Sequence, residues 1–160
     1  MKRGSVLYNF TLALWVGGIS LFTFLVTPII FQSFGRDTAG EIVGKIFPYY
    51  FPYNLFLSVA ALAIFLLFFG IRGKPRGKIT IILLTIAVLI NLFVTFKLHP
   101  DITRIKQQIK TFETRSDESP LRNQFRKLHT ISAILNILLL IDGATLIILN
   151  NISNKQEIQH

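Results

Sequence analysis

The residues best suited to hold a ligand form two groups of polar side chains. Tyr49 and Tyr50 lie between prolines, and His129, Ser132 and Asn136 follow one another at helical spacing. Residues at i, i+3 and i+7 share one face of an α-helix, and a polar face inside a membrane segment should meet protein rather than lipid. We therefore predict a polar pocket lined by these five residues, with haem, a metal, a quinone or a lipid as its ligand. The tyrosines also fit an interfacial aromatic belt.

Two histidines, His99 and His129, are candidate ligands for haem or a divalent metal ion. Neutral imidazole is the commonest metal ligand near neutral pH, and haem iron is often held by histidine. Histidines at helix ends also serve as interfacial anchors. Since no cysteine or carboxylate cluster accompanies the pair, the cofactor's identity stays unknown.

Two asparagines lie deeper in the same segments. Asn91 precedes His99, and Asn136 follows His129, by about two helical turns each. In neighbouring antiparallel helices the two amides should lie at matched depth. They would then bond to each other, or form the polar floor of a pocket.

Asp142 is the one formal charge inside the most apolar stretches of the chain, residues 5–31, 53–70, 79–96 and 130–150. An ionisable group there is costly and is treated as functional, with a partner to be named. We expect either a static role, with Asp142 hydrogen-bonded to Asn9, Thr11 or a backbone carbonyl of the first helix, or a proton-binding position.

Four long apolar segments must position these residues. Hydrophobic residues make up 51% of the 160-residue chain and charged residues 16%, and the charges gather between the apolar segments. About 20 helical residues cross a hydrocarbon core of about 30 Å, and continuous rather than alternating apolar runs exclude a barrel. The sequence therefore predicts an all-α integral membrane four-helix bundle in one domain, residues 1–160. Its expected spans are about 5–31, 53–70, 79–98 and 128–150.

The segments between the spans add further elements. Ile102, Ile105, Ile109 and Phe112 fall at helical spacing, which predicts an amphipathic surface helix over about 100–113, between spans three and four. An even number of spans places both termini on one side of the membrane. Loops one and three then lie together on the opposite side. Which face holds the termini is not decided by the Lys and Arg distribution.

Smaller signals concern the helix ends. Thr38 and Glu41 match a capping box that should begin a helix, and the prolines at 48 and 52 should bend that helix. Ser119 should cap the last helix, which would start at the proline after it. A short basic turn over residues 72–78 should join spans two and three.

The net charge of +9 comes from 17 Lys and Arg against 8 Asp and Glu. No recognised nucleic-acid-binding fold surrounds these charges, so membrane lipid with anionic headgroups is the expected partner. Partner subunits or a homo-oligomer are also candidates. The expected location is the cell (inner) membrane. Because the sequence contains no nucleophile–base pair, phosphate loop or carboxylate dyad, an enzyme is the less favoured class.

Two segments resemble the transmembrane protein 205-like family, which has no assigned biochemical activity. They are residues 45–51, with the sequence Lys-Ile-Phe-Pro-Tyr-Tyr-Phe, and residues 122–136. The resemblance carries over Phe47, Pro48, Tyr49, Tyr50, Phe125, His129, Ser132 and Asn136. His99 matches no position of that pattern. More distantly, the architecture is similar to copper-resistance D-type and HemJ-type four-helix membrane proteins, some of which bind haem, although the first-helix histidine of the haem-binding type is missing.

These observations favour a non-enzymatic membrane protein that binds a small ligand, or supports transport, through a polar pocket at the face shared by loops one and three. The alternative is an accessory or assembly subunit of a larger membrane complex. In that case the Gly-rich first helix and the amphipathic segment would form the partner contacts.

Overall fold

The computed structural model of the protein describes residues 3–70, 75–109 and 119–158, and no strand occurs among them. The helices are α1 (Arg3–Leu21), α2 (Thr27–Ser33), α3 (Arg36–Phe68), α4 (Pro75–Phe93), α5 (His99–Gln107) and α6 (Pro120–Ile158). A first π turn (Phe22–Val26) joins α1 to α2, and a second π turn (Val94–Leu98) joins α4 to α5.

Four continuous helical segments are long and apolar enough to cross a membrane. They are span one (Gly4–Ser33), span two (Arg36–Phe68), span three (Gly77–Gln107) and span four (Pro120–Ile152). The prediction of an all-α membrane four-helix bundle is confirmed, and the chain is a multi-pass integral membrane protein.

The four spans pack as a ring rather than a row. α1 packs mainly against α3 and α6, and α4 packs against the same two helices, so that α1 and α4 lie across the bundle from each other. One apolar core surrounds the fully buried Trp15, Leu12 and Leu84. A second core, toward loops one and three, contains Tyr50 and Phe51.

Two glycines allow α1 to lie close to its neighbours. A Cβ atom at Gly143 would lie 2.6 Å from Cγ2 of Val16, and one at Gly18 would lie 2.9 Å from Cε1 of Tyr53. Lipid tails remove the hydrophobic drive for helix association, so close backbone approach through small residues takes its place. The close neighbours of α1 at these glycines are thus α3 and α6 of the same chain.

Each π turn ends two residues before a proline. The first is followed by Pro28 and the second by Pro100, and in both the residue before the proline donates its N–H five residues back, Thr27 to Phe22 and His99 to Val94. A proline ring clashes with the carbonyl four residues earlier, and the wider turn moves that carbonyl away. Neither π turn was predicted from the sequence.

The ends of α3 and α6 differ in how well the sequence predicts them. α3 begins at Arg36, two residues before the predicted capping box, and Glu41 instead pairs with Lys45 at 2.8 Å. α3 ends before Gly70, whose φ of +61° lies in the left-handed region that favours glycine. The N–H of Arg122 bonds Oγ of Ser119 at 3.4 Å, which confirms the cap of α6.

The amphipathic helix α5 continues α4 without a loop, through the second π turn, and so forms the last part of span three. Ile102 and Ile105 are buried, and α5 packs against α6. Ile109 is half-buried beyond the helix end. Phe112 lies outside the described residues, as do residues 72–74 of the predicted basic turn. Residues 75–78 of that turn are instead the start of α4, because the proline at 75 fits the first turn of a helix.

Gly143→Ala should destabilise the bundle, because the valine against the new Cβ has little χ1 freedom in a helix. We expect a loss of about 1–3 kcal/mol from the overpacking, against a helix-propensity gain of about 1 kcal/mol or less. Gly17→Ala is the matched control, since nothing lies within 4 Å of a Cβ atom there. Thermal unfolding in lipid nanodiscs measures the stability of both variants. Equal melting temperatures of Gly143→Ala and Gly17→Ala would contradict the close packing at Gly143.

Candidate polar site inside the bundle

A small cavity lies between spans two, three and four. Its lining residues are Tyr50, Phe51, Asn54, Asn91, Val94, Ser132, Asn136 and Leu139. The space open to the centre of a water molecule is about 10 Å³, which is room for one water-sized body. Pockets for drug-sized ligands hold about 300–1,000 Å³, so a haem or a quinone does not fit this cavity.

The cavity lies at the depth of the hydrocarbon core. Asn91 is 2% exposed and precedes the charged Lys97 by six positions, or about 9 Å along the helix. Its polar atoms are thus beyond the reach of bulk water and need partners within the protein.

A chain of hydrogen bonds joins three spans beside the cavity. The Tyr50 hydroxyl donates to Oδ1 of Asn136 at 2.7 Å, and Nδ2 of Asn136 donates to Oγ1 of Thr23 at 2.8 Å. Thr23 belongs to the first π turn, so the turn that Pro28 requires also brings a hydroxyl to the site. Spans one, two and four are thereby tied together at one level.

A second group of hydrogen bonds links spans two and three. Nδ2 of Asn91 donates to Oγ of Ser58 at 3.3 Å and to the carbonyl of Ala87 at 3.0 Å. Nδ2 of Asn54 donates to the carbonyl of Tyr50 at 2.8 Å. Oδ1 of Asn54 is buried and has no hydrogen-bond partner.

Aromatic rings cover the site on the side of loops one and three. The rings of Phe22 and Tyr50 stack with centroids 4.3 Å apart, and those of Phe47 and Phe51 with centroids 5.0 Å apart. The His99 ring contacts both phenylalanines of the second pair. This cover separates the cavity from the membrane surface.

Four of the predicted residues meet at the cavity, namely Tyr50, Ser132, Asn136 and Asn91. The two asparagines share the cavity wall, but their amide groups bond to other residues, as described above. The matched depth expected from the sequence is therefore found without the expected direct pairing.

Tyr49 and His129, predicted to line the pocket, lie outside it. Tyr49 is 79% exposed, because it stands about 100° around the helix from the inward-facing Tyr50. His129 is exposed and stacks on Phe125 with centroids 5.7 Å apart. Its neighbour Leu128 is the residue of that turn that packs on the core.

His99 and His129, the predicted haem or metal ligands, each lie against aromatic rings. His99 is half-buried against aromatic rings, and its Nε2 lies 3.5 Å from Oγ1 of Thr103. Within the described residues, no three or more histidine, aspartate or glutamate side chains are grouped so that they could hold a metal ion. His99 and His129 therefore gain no further ligand that would complete a site.

Asp142 lies at a different place in the bundle, on the α6 face toward α1. Its Oδ2 atom is buried without a hydrogen-bond partner. The expected partners are engaged elsewhere, since Asn9 accepts from Asn150 and Thr11 donates to the carbonyl of Leu7. Buried Tyr8, close enough to interact electrostatically with Asp142, also has an unpartnered hydroxyl.

Sequence reasoning missed Asn54, Ser58 and Thr23. Asn54 and Ser58 are four residues apart in span two, and Asn91 and Thr95 are four residues apart in span three. The i, i+4 spacing of two buried polar residues within an apolar segment was the available signal. Thr23 carried no signal, since a lone threonine can bond its own helix backbone.

The fold and the buried polar site define a multi-pass four-helix membrane protein of unknown activity. The family described as a domain of unknown function, DUF4149, matches residues 10–111, and the chain belongs to this family. An uncharacterized protein from Aquifex aeolicus (strain VF5) is 30% identical over 140 residues, which is 86% of this chain and 91% of that protein. No solved structure matches.

The narrower resemblances noted above stay predictions. The family match spans the first three membrane segments and α5, whereas half of the motif similar to the transmembrane protein 205-like family lies in span four, beyond residue 111. The copper-resistance D-type and HemJ-type resemblance gains no support from the histidine positions.

Tyr50→Phe should lower stability, because it removes the hydroxyl that bonds Asn136 inside the membrane. We expect a loss of about 0.5–2 kcal/mol. Tyr49→Phe changes an exposed ring of the same helix and is the matched control. Thermal unfolding in nanodiscs compares them; an equal effect of both changes would argue against the interhelical bond.

Proposed function

We propose that this protein binds a small polar solute in the cavity between spans two, three and four, as a step in moving that solute across the membrane. The observation that carries the proposal is Asn54, whose side chain lines the cavity with a buried and unpartnered Oδ1 atom. A buried acceptor without a partner costs about 1–3 kcal/mol. A solute that donates to this oxygen, or coordinates it, recovers that energy.

The depth of the cavity supports a role in transport. Polar groups inside membrane segments that face the bundle interior commonly mark substrate or ion pathways. The two π turns beside the cavity, which contain Thr23 and Val94, add to this, since such turns are frequent at functional sites.

The size and donor set narrow the ligand classes left open by the sequence. Haem, quinone and lipid exceed a water-sized cavity. A transition metal prefers imidazole or thiolate, whereas the polar residues of this cavity are a tyrosine, a serine and three asparagines. A small polar solute is the class of ligand that matches both the size of the cavity and its polar side chains.

The Gly-rich first helix and the amphipathic helix, which suggested an accessory subunit, pack against other parts of this chain. Gly18 lies against Tyr53, and Ile102 and Ile105 of the amphipathic helix are buried in this chain's own bundle. We therefore keep solute binding as the proposal, and stable co-purification of other subunits would favour the alternative.

Proteoliposomes test the proposal by solute entry. Vesicles containing the protein should admit at least one of water, urea, ammonium or an alkali cation faster than empty vesicles in stopped-flow measurements. Asn54→Leu, which keeps the branching at Cγ but replaces the amide with two methyl groups, should abolish the difference. Asn151→Leu is the matched control, because Asn151 is exposed on α6 away from the cavity. Entry no faster than in empty vesicles for every solute would refute the proposal.

A further inference from the structure

We infer that the solute held in the cavity is a small monovalent cation, coordinated by amide and hydroxyl oxygens. This inference rests on the proposed binding of a solute in the same cavity. It depends on which way each amide points and on which oxygens the protein leaves open.

Backbone carbonyls fix the orientation of two of the three asparagine amides. Nδ2 of Asn54 donates to the carbonyl of Tyr50, and Nδ2 of Asn91 donates to the carbonyl of Ala87. A carbonyl only accepts, so each amide must turn its nitrogen toward the helix backbone. The oxygen of each amide is then directed away from its own helix backbone.

The amide oxygens of Asn54 and Asn91 are left open at the cavity. Oδ1 of Asn54 has no partner, and both hydrogen bonds of Asn91 run through its nitrogen. The hydroxyl of Tyr50 gives its proton to Asn136, so toward the cavity it can only accept. Ser132 lines the cavity and makes no hydrogen bond with the described part of the chain.

An acceptor-rich, uncharged cavity selects one class of solute. A buried anion would need a positive charge to offset its desolvation, and no charged residue lines the cavity. Calcium and magnesium are usually bound through carboxylates. Alkali cations exchange their hydration shell for neutral carbonyl oxygens, and ammonium donates hydrogen bonds to them. The aromatic cover of Phe22, Phe47 and Phe51 lowers the local dielectric and strengthens these ion–dipole contacts.

Thermal unfolding in nanodiscs of uncharged phosphatidylcholine tests the inference. Choline chloride is replaced stepwise by sodium, potassium or ammonium chloride at constant ionic strength. We expect at least one cation to raise the melting temperature of the wild type by several degrees, with saturation. Neutral lipid removes cation effects on anionic headgroups.

Ser132→Ala provides the specific variant. Because Ser132 bonds no described residue, the change should leave the cation-free melting temperature unchanged. It should raise the cation concentration at half-saturation about tenfold, the loss expected for one coordinating group. Ser33→Ala, an exposed serine at the end of α2, should change neither value.

The outcomes separate this inference from the proposed function. Saturable stabilisation by a cation that Ser132→Ala weakens supports the inference, even if vesicles show no flux. If urea or formamide stabilises the protein and no cation does, the inference of a cation is overturned, while the proposed solute binding stands. If no solute stabilises the protein, as expected when the cavity holds only a structural water, the inference of a bound cation is also overturned.

Discussion

The absence of water inside the bilayer is the constraint on which this structure depends. Every backbone polar group in the core must be satisfied by the chain itself, which leaves helices as the form of the spans. Without a hydrophobic drive between them, the helices associate through close contacts such as Gly143 against Val16, and through buried hydrogen bonds. The bond from Tyr50 through Asn136 to Thr23 therefore holds three spans at one level.

The same constraint gives meaning to the atoms that lack partners. In a soluble protein, a half-satisfied amide is often completed by solvent. At the depth of Asn54, solvent is replaced by lipid, so an open oxygen there costs more free energy than it would at a site that water can reach. Asp142 presents the same cost on another face of the bundle, where its Oδ2 atom is buried without a hydrogen-bond partner.

The membrane spans could be predicted because charge is nearly absent from them, and that signal needs no knowledge of packing. Ser132 and Asn136 also lie on one face of their helix, as their spacing predicts, since this depends only on helix geometry. Tyr49 and His129 were misplaced because a shift of one residue turns a side chain by about 100°, and the rotation of each helix is set by its neighbours. Packing of Tyr50 and Leu128 on the second core decides that rotation.

The two π turns have a further consequence for how this chain can vary. A π turn holds one residue more than an α turn, so each behaves as a single-residue insertion placed before its proline. It changes the phase of the helix, because removing that residue would rotate everything beyond it by about 100°. In span three, the segment beyond is α5, whose Ile102 and Ile105 would then leave the core and present the polar side of the helix to α6. The length of the second π turn is thus fixed by the face that α5 must present to α6.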